Sequence, residues 1–373
     1  MSKTVIDVSH HNDSDNLKWL SFADLHLRAK ERWGGKNPET AVDIRTEDKL
    51  KAVSVIVEKA IKEDYDAVIG IGDLFDSPTP PDWLVTSLID TLTPLIKEEL
   101  PFFYILGNHG TTFKSYGMKA IKHLLAAIEN SSFFVVDKPT SFCMDNTNFW
   151  LIPEMPKGDL IPALKRGADK NQVLFAHLCV QDARAGGIKL DGISRDLLAG
   201  YEMCQLGDIH KAQHGRNWAY CGSTARKDFG EVGEQKGFLE GSIRDGRAIT
   251  RFLPLQDREF VKVLASEDQV EYLPNAPEID GAIIKLVCTG TKAWFRSGEI
   301  DKLVSELQEQ GALEVSIESD LSDFTGRREE ALEKDSSTKD AMSLLLKKEE
   351  VSPKDAVYFM EVGEKLLKTN TTS

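Results

Sequence analysis

The sequence predicts an α/β fold with a smaller α+β unit appended, and three observations carry that prediction. Apolar runs of strand length alternate with stretches of helical periodicity through the first half of the chain. Shorter apolar runs then follow one another with little between them, as in a mixed or antiparallel sheet. Near residue 256 the pattern starts again, ahead of a charged stretch and two amphipathic segments.

Taken in order, LKWLSFA reads as a strand and RTEDKLKAVSVIVEKAIKEDY as a helix. DAVIGIG is a strand, PDWLVTSLIDTLTPLIKEE a helix, LPFFYILG a strand and SYGMKAIKHLLAAIEN a helix. This order implies βαβ units with helices covering a sheet. SSFFVV, TSFCM, NFWLIP, QVLFAH, MCQLG and NWAYCG are short strands. KGFLEGSI and AITRFLPL form a hairpin around Arg244-Asp245-Gly246-Arg247. The second unit has a strand at AIIKLVC, a helix at SGEIDKLVSELQEQ and a strand at ALEVSIE. GRREEALEKDSSTKD reads as a linker, and TKDAMSLLLKKEE and SPKDAVYFMEVGEKLLK as closing helices. Ser352 and Pro353 supply an N-cap and first-turn pair. The predicted divisions are a flexible tail at 1–16, a main domain at 17–255, an α+β domain at 256–325, and linker plus helices at 326–373.

Composition narrows the function classes. Of the 373 residues, 41% are hydrophobic and 28% charged, enough for packed cores. No apolar run approaches the roughly 20 residues of a membrane span, and MSKTVIDVSHHNDSDN lacks the apolar region of a signal peptide. The cysteines number 5, an odd count with no CxxC pair. That argues against a disulfide framework or thiolate zinc site and predicts a reducing, cytosolic setting. The net charge of -14 excludes a grip on nucleic acid by bulk positive charge, but not by a local basic strip.

The chemistry lies where the apolar runs end. FADLH supplies Asp24 and His26, GIGDLFD supplies Asp73 and Asp76, and YILGNHG supplies Asn108 and His109. VLFAH supplies His177, and LGDIHK supplies Asp208 and His210. Ligands of open α/β sheets gather beyond the carboxyl ends of strands. Carboxylate, imidazole and amide groups converging there point to two-metal hydrolysis, in which paired divalent ions clamp a phosphoryl group and activate a water. Asp73, on a central strand, is the candidate bridging ligand. The donor mixture favours manganese or iron without excluding zinc.

DLH, GDLFD, GNH, a lone His and a GxxH turn, in this order, resemble the calcineurin-like metallophosphoesterases. YCGSTARKDFGE followed by KGF resembles the SbcD branch, nuclease subunits of double-strand-break repair complexes in bacteria and large phages. The motifs cover about residues 17–240. The resemblance implies a four-layer sandwich of two mixed sheets flanked by helices, with a capping domain. It implies that Asp24, His26, Asp73 and His210 hold one ion, and Asp73, Asn108, His177 and Asp208 the other. The two divalent ions would be Mn2+, with Mg2+ as the alternative. His109 would act on the phosphate or the leaving oxygen, its pKa lying near working pH, and Asp76 would support a ligand or face substrate. The implied activity is duplex exonuclease and single-strand endonuclease action in the cytoplasm, as a homodimer, with an SMC-like ATPase docked on the C-terminal helices. ATP would act through that partner, since the chain has no GxxxxGK[ST] loop.

Two positions depart from the family pattern: Asp208 stands where the family usually has His, and Gly110 where it has an acid. These keep open a weakly active DNA-end-binding scaffold. A small-substrate phosphodiesterase is the other rival. RAKERWGGK, with Arg28, Lys30, Arg32 and Lys36, reads either as a DNA-gripping loop or as a solvated one. Arg226 and Lys227 are further candidates. His10, His11 and Asp13 are expected in the tail, His123 as structural and His214 as exposed.

Overall fold

The computed structural model describes residues 5–7, 17–108, 132–145, 147–169, 172–185, 188–275 and 277–321. His109, Gly110, the expected helix at 115–130 and the C-terminal helices lie outside the described residues. The main unit begins with Val5–Asp7 (β1), Lys18–Ala23 (β2), Ile44–Lys62 (α1), Ala67–Ile71 (β3), Asp82–Lys97 (α2) and Phe102–Ile105 (β4). Then come Phe133–Val136 (β5), Thr140–Met144 (β6), Thr147–Ile152 (β7), Lys157–Gly167 (α3) and Gln172–His177 (β8). Met203–Gly207 (β9), Trp218–Tyr220 (β10), Gly237–Arg244 (β11) and Arg247–Pro254 (β12) complete it.

These strands form two mixed sheets. The six-stranded sheet has the order β12-β11-β2-β3-β4-β5. Within it β2 to β5 run parallel, while β11 pairs antiparallel with both β2 and β12. The seven-stranded sheet runs β1-β6-β7-β8-β9-β10, with Gln213–His214 at its edge. Its centre, β7-β8-β9-β10, is parallel.

Three apolar clusters fill the spaces this arrangement leaves. Between the sheets lie Trp19, Ile69, Phe103, Phe142, Phe149 and Phe175. The aromatic rings stack in series, Phe103 on Phe142 at 4.2 Å and Phe142 on Phe149 at 4.6 Å. α1 and α2 cover the outer face of the six-stranded sheet through Val53, Ile56, Val57, Leu84, Leu88 and Leu92. These recur at helical spacing, so one stripe of each helix is buried. α3 covers the outer face of the seven-stranded sheet through Leu160, Ala163 and Leu164. The result is four layers, helix-sheet-sheet-helix, as the sequence motifs implied.

Two details differ from the expectation. The tail contains β1, parallel to β6 in the register Val5↔Ser141 to Asp7↔Cys143. The β-branched pair Val5 and Ile6 suits a sheet edge, which polar flanking residues conceal in the sequence. α3 escapes a reading by periodicity, because Pro156 precedes it and Pro162 interrupts its pattern. The hairpin is as expected: Arg244 faces Arg247, and Asp245 and Gly246 take positive φ of 51° and 72° in a two-residue turn.

Val270–Leu273, Phe260–Ala265, Ile283–Gly290 and Glu314–Leu321 form a further four-stranded sheet in that order. Among the described residues the second compact unit comprises Val263–Glu271, Leu286–Leu307 and residues 316–321. In it Thr291 caps a short helical turn by accepting from the Trp294 N–H. No described helix is long and apolar enough to cross a membrane.

Candidate metal centre

Parallel strands point their carboxyl ends the same way, and five of them converge here. β2 delivers Asp24 and His26, β3 delivers Asp73, and β4 leads to Asn108. From the other sheet β8 ends in His177, and β9 leads to Asp208 and His210. Four of these residues leave their strands in the left-handed region: Asp24 at φ 51°, His26 at 46°, Asp73 at 46° and Asp208 at 96°. A side chain there costs about 1 kcal/mol or more, a strain that concentrates at functional sites. The turns are held by cross-links such as the His26 N–H donating to the Asp73 carbonyl at 2.9 Å.

The side chains meet in two compact groups: Asp24, His26 and His210, and Asp24, Asp73 and His177. Asp24 belongs to both. Asp73 Oδ2 lies 3.5 Å from His177 Nε2 and 3.9 Å from His26 Nε2. The Nε2 atoms of His26 and His210 are 3.0 Å apart. Asp208 flanks the second group. Its Oδ1 accepts from Asn108 Nδ2 at 3.1 Å and lies 3.7 Å from His177 Nε2. The Asp208 N–H donates to the Asp24 carboxylate at 3.1 and 3.3 Å. The Asp in the LGDIHK turn therefore faces the same space as the other donors.

Each histidine is braced on the far side of its ring, which turns Nε2 inward. His177 Nδ1 lies 3.0 Å from the Ile71 carbonyl, and His26 Nδ1 lies 3.4 Å from Asp76 Oδ1. His210 Nδ1 is 2.7 Å from Glu231 Oε1. The supporting carboxylates are themselves held by cations. The Arg28 guanidinium meets Asp76 with two contacts of 2.9 Å. Buried Lys236 contacts Glu231 Oε2 at 2.8 Å, and the Lys227 N–H donates to the same oxygen at 2.9 Å.

The charges follow from burial and these partners. Burial raises the Asp24 carboxyl to about 6 and lowers His26 to about 4, leaving that ring neutral. Burial also opposes charge on His177, but Asp73, Asp24 and Asp208 outweigh it and hold the ring at about 9. Burial works against Glu231 as well, yet His210 and Lys236 bring it down to about 2. Burial likewise opposes charge on Asp76, but His26 and Arg28 keep it well below the usual carboxylate range.

A divalent pair fits this donor set. Carboxylates crowded together with neutral or displaceable imidazoles need positive charge between them. His177 Nε2 is buried and aimed at two carboxylates, Asp73 Oδ2 at 3.5 Å and Asp208 Oδ1 at 3.7 Å. Among the described residues Asp24, His26, Asp73, His177 and His210 form the two groups, with Asn108 and Asp208 beside them.

The other expected residues fall in different places. Asp76 touches His26 and Arg28, so Arg28 braces the site from a half-buried position. Lys30, Arg32 and Lys36 are exposed, with Arg32 over the Trp33 ring at 4.8 Å. The expectation of Arg226 at a DNA surface is corrected. It is buried, and its guanidinium is taken up by Asp257, Glu259 and the carbonyls of Glu234 and Arg258.

Sequence reasoning misses Glu231 and Lys236 as site residues, although both lie in the quoted KDFGE and KGF segments. Only the chain's return past His210 gives them a role. Glu231→Gln is expected to weaken manganese binding by about 10–100-fold. Isothermal titration would measure this; Glu231→Asp should recover part of the loss, and unchanged affinity in Glu231→Gln would remove the bracing role.

Comparison with known proteins places residues 17–186 in a match to the family "Calcineurin-like phosphoesterase". The chain is 26% identical over 273 residues to the DNA double-strand break repair protein Mre11 of Halobacterium salinarum, spanning 69% of each. It is 24% identical over 310 residues to the protein of the same name from Archaeoglobus fulgidus, spanning 69% of this chain and 63% of that one. Among solved structures, a dimetal phosphatase from Danio rerio aligns with a TM-score of 0.41 at 11% identity, over 63% of this chain and 95% of that one. A purple acid phosphatase from yellow lupin seeds (Lupinus luteus) aligns with a TM-score of 0.43 at 13% identity, over 65% and 52%.

Proposed function

From a chain that carries a calcineurin-like phosphoesterase domain and is similar to Mre11 repair proteins, we propose a metal-dependent DNA nuclease that hydrolyses phosphodiester bonds. The supporting observation is the convergence of three braced histidines and three carboxylates from four strand ends, with Asn108 from a fifth. The activity in this reading is duplex exonuclease and single-strand endonuclease action. Divalent ions, Mn2+ or else Mg2+, supply Lewis acidity and lower the pKa of water when bound.

The residues divide that work. Asp24, His26, Asp73 and His210 hold one ion, and Asp73, Asn108, His177 and Asp208 the other. Asp76 and Glu231 fix the rings of His26 and His210 so that no reorganisation is needed as charge builds on the phosphoryl oxygens. His109, next to Asn108 in sequence, protonates the leaving oxygen or orients the phosphate. Lys30, Arg32 and Lys36, exposed on the stretch that follows His26, contact the DNA backbone. The C-terminal helices dock onto an SMC-like ATPase, the chain dimerises through helices of the main domain, and the assembly works in the cytoplasm. The domain division proposed is 17–255 for the nuclease and 256–325 for the cap.

The test is incubation of the purified chain with manganese and end-labelled duplex DNA, beside His109→Ala and Asp208→His. Nucleotide release by the wild type and its loss in His109→Ala is the expected result. Brisk hydrolysis of a small phosphodiester without DNA cutting would replace the nuclease reading with a small-substrate one. Cutting gained only in Asp208→His would mean that Asp208 cripples the centre, leaving a scaffold.

A further inference from the structure

The buried stripe of α1 contains one residue that packing alone does not explain. Lys49 stands at helical spacing from Val53, Ile56 and Ala60, so it lies on the face that α1 turns to the sheet. Its side chain is only 4% exposed. An apolar residue would fill that position at less cost, because a buried ammonium gives up its water. Lys49 Nζ instead donates to the His26 carbonyl at 2.8 Å and to Glu31 Oε1 at 2.6 Å.

The carbonyl it holds belongs to a strained residue. His26 stands at φ 46°, and a side chain persists there only where its surroundings fix it from several sides. The His26 N–H is tied to Asp73 and its ring to Asp76; Lys49 takes the remaining backbone group. Thr46, three residues before Lys49 on the same helix face, repeats the device by donating from Oγ1 to the Arg28 carbonyl at 2.8 Å. Arg28 in turn holds Asp76. α1 therefore reaches His26 through both its backbone and its ring. The supports of the other two histidines, the Ile71 carbonyl for His177 and Glu231 for His210, lie on other elements.

We propose that Lys49 is a positioning residue that holds His26 in its strained conformation, so that the ring meets its ion without rearrangement; the inference rests on the assignment of His26 to one of two ions above. Loss of the donor leaves the His26 carbonyl buried without its partner and lets the segment relax. Nε2 then leaves the space it shares with His210 Nε2, 3.0 Å away. The ion assigned to His177 and Asp208 keeps its supports, so the damage should fall on one ion of the pair.

The test is manganese binding to the full chain, read by calorimetry and by electron paramagnetic resonance, which separates a coupled pair of ions from an isolated one. Lys49→Met with Glu31→Gln removes the donor without leaving a buried carboxylate unpaired. Glu31→Gln alone keeps an acceptor for Lys49 and spares its bond to His26. Val53→Ala, on the same stripe, loosens α1 without touching that bond. The double variant is expected to lose about 10–100-fold in affinity for one ion, while the other binds as in the wild type. At manganese levels that pair the ions in the wild type, it should show the isolated-ion signal. Glu31→Gln and Val53→Ala should keep the coupled pair, although Val53→Ala lowers the thermal midpoint. If the double variant does not fold, Lys49→Gln with Glu31→Gln takes its place, a neutral pair too short to hold the His26 carbonyl. Equal losses for both ions, or the same loss in Val53→Ala, would reduce Lys49 to a part of the packing. DNA cutting by the wild type, with both ions bound normally in the double variant, would sink the role of Lys49 alone. No cutting by the wild type, with the selective loss still seen, would remove the nuclease reading alone. A wild type that binds no second ion would sink both.

Discussion

Asp73→Asn is expected to lower manganese-dependent phosphodiester hydrolysis by at least about 10³-fold and to abolish stabilisation of the fold by manganese. The carboxylate sits at the end of β3, 3.5 Å from His177 Nε2 and 3.9 Å from His26 Nε2, so it faces both groups of donors. The amide preserves the shape and removes the charge. For the wild type, manganese at 100 times its Kd should add about 2.7 kcal/mol of stability; the variant should show no shift in Tm. A proton-linked signature accompanies this. Burial disfavours a charged His177, but its carboxylate neighbours, Asp73 foremost, hold it at about 9, so the ring is protonated at neutral pH. It must lose that proton to bind a cation. Affinity for manganese should therefore rise with pH up to about 9, and binding at neutral pH should release a proton. Calorimetry in two buffers of different ionisation enthalpy measures the release. An Asp73→Asn chain that still gains thermal stability from manganese would remove Asp73 from the centre.

Gly207→Ala should be severely damaging although it removes no functional group. A Cβ at 207 would lie 2.2 Å from the Ile71 carbonyl oxygen, 2.8 Å from His177 Nδ1 and 3.0 Å from the Ala23 Cβ. Ile71 O is the atom that braces His177 at 3.0 Å, and it belongs to the opposite sheet. Backbone cannot swing aside as the end of a long side chain can, so the methyl must push β9 away from β3. Overpacking of this kind costs about 3 kcal/mol, and the displaced imidazole should weaken manganese binding more than tenfold. Urea unfolding and metal titration would check both. Gly233→Ala provides the contrast. Its φ is 76° but nothing lies within 4 Å of the added carbon, so only backbone strain of about 1 kcal/mol is expected. Equal losses at the two positions would mean that the crowding at Gly207 is relieved by movement.

How legible these features were depended on distance along the chain. The strands ending in Asp24, Asp73, Asn108, His177 and Asp208 stood out because each is a short apolar run closed by a polar turn, a signal contained within about ten residues. The β11–β12 turn announced itself through Asp245-Gly246. Helix α3 did not, since Pro162 breaks the periodicity that α1 displays over 19 residues. Glu231 and Lys236 carry no local mark of their task. An acid and a lysine in a polar loop read as surface, and only packing against His210 withdraws Lys236 from water. Arg226 misled for the same reason in reverse. A basic residue beside a candidate site reads as a phosphate contact until Asp257, from the end of the hairpin's return, is found beneath it.

The two sheets contribute complementary halves of the centre, and His26 meets His210 across 184 residues of chain. Neither sheet alone can assemble either group of donors, because Asp24 and His26 require His210 on one side and Asp24 and Asp73 require His177 on the other. A nascent chain released short of β9, or one in which a single sheet has formed, holds only fragments of the catalytic apparatus. Completion of the sandwich thus acts as a safety catch. On the proposed nuclease reading, the chain threatens a phosphodiester backbone only after nearly all of its main unit has been synthesised and closed, and an unfolding chain disarms itself as the sheets part.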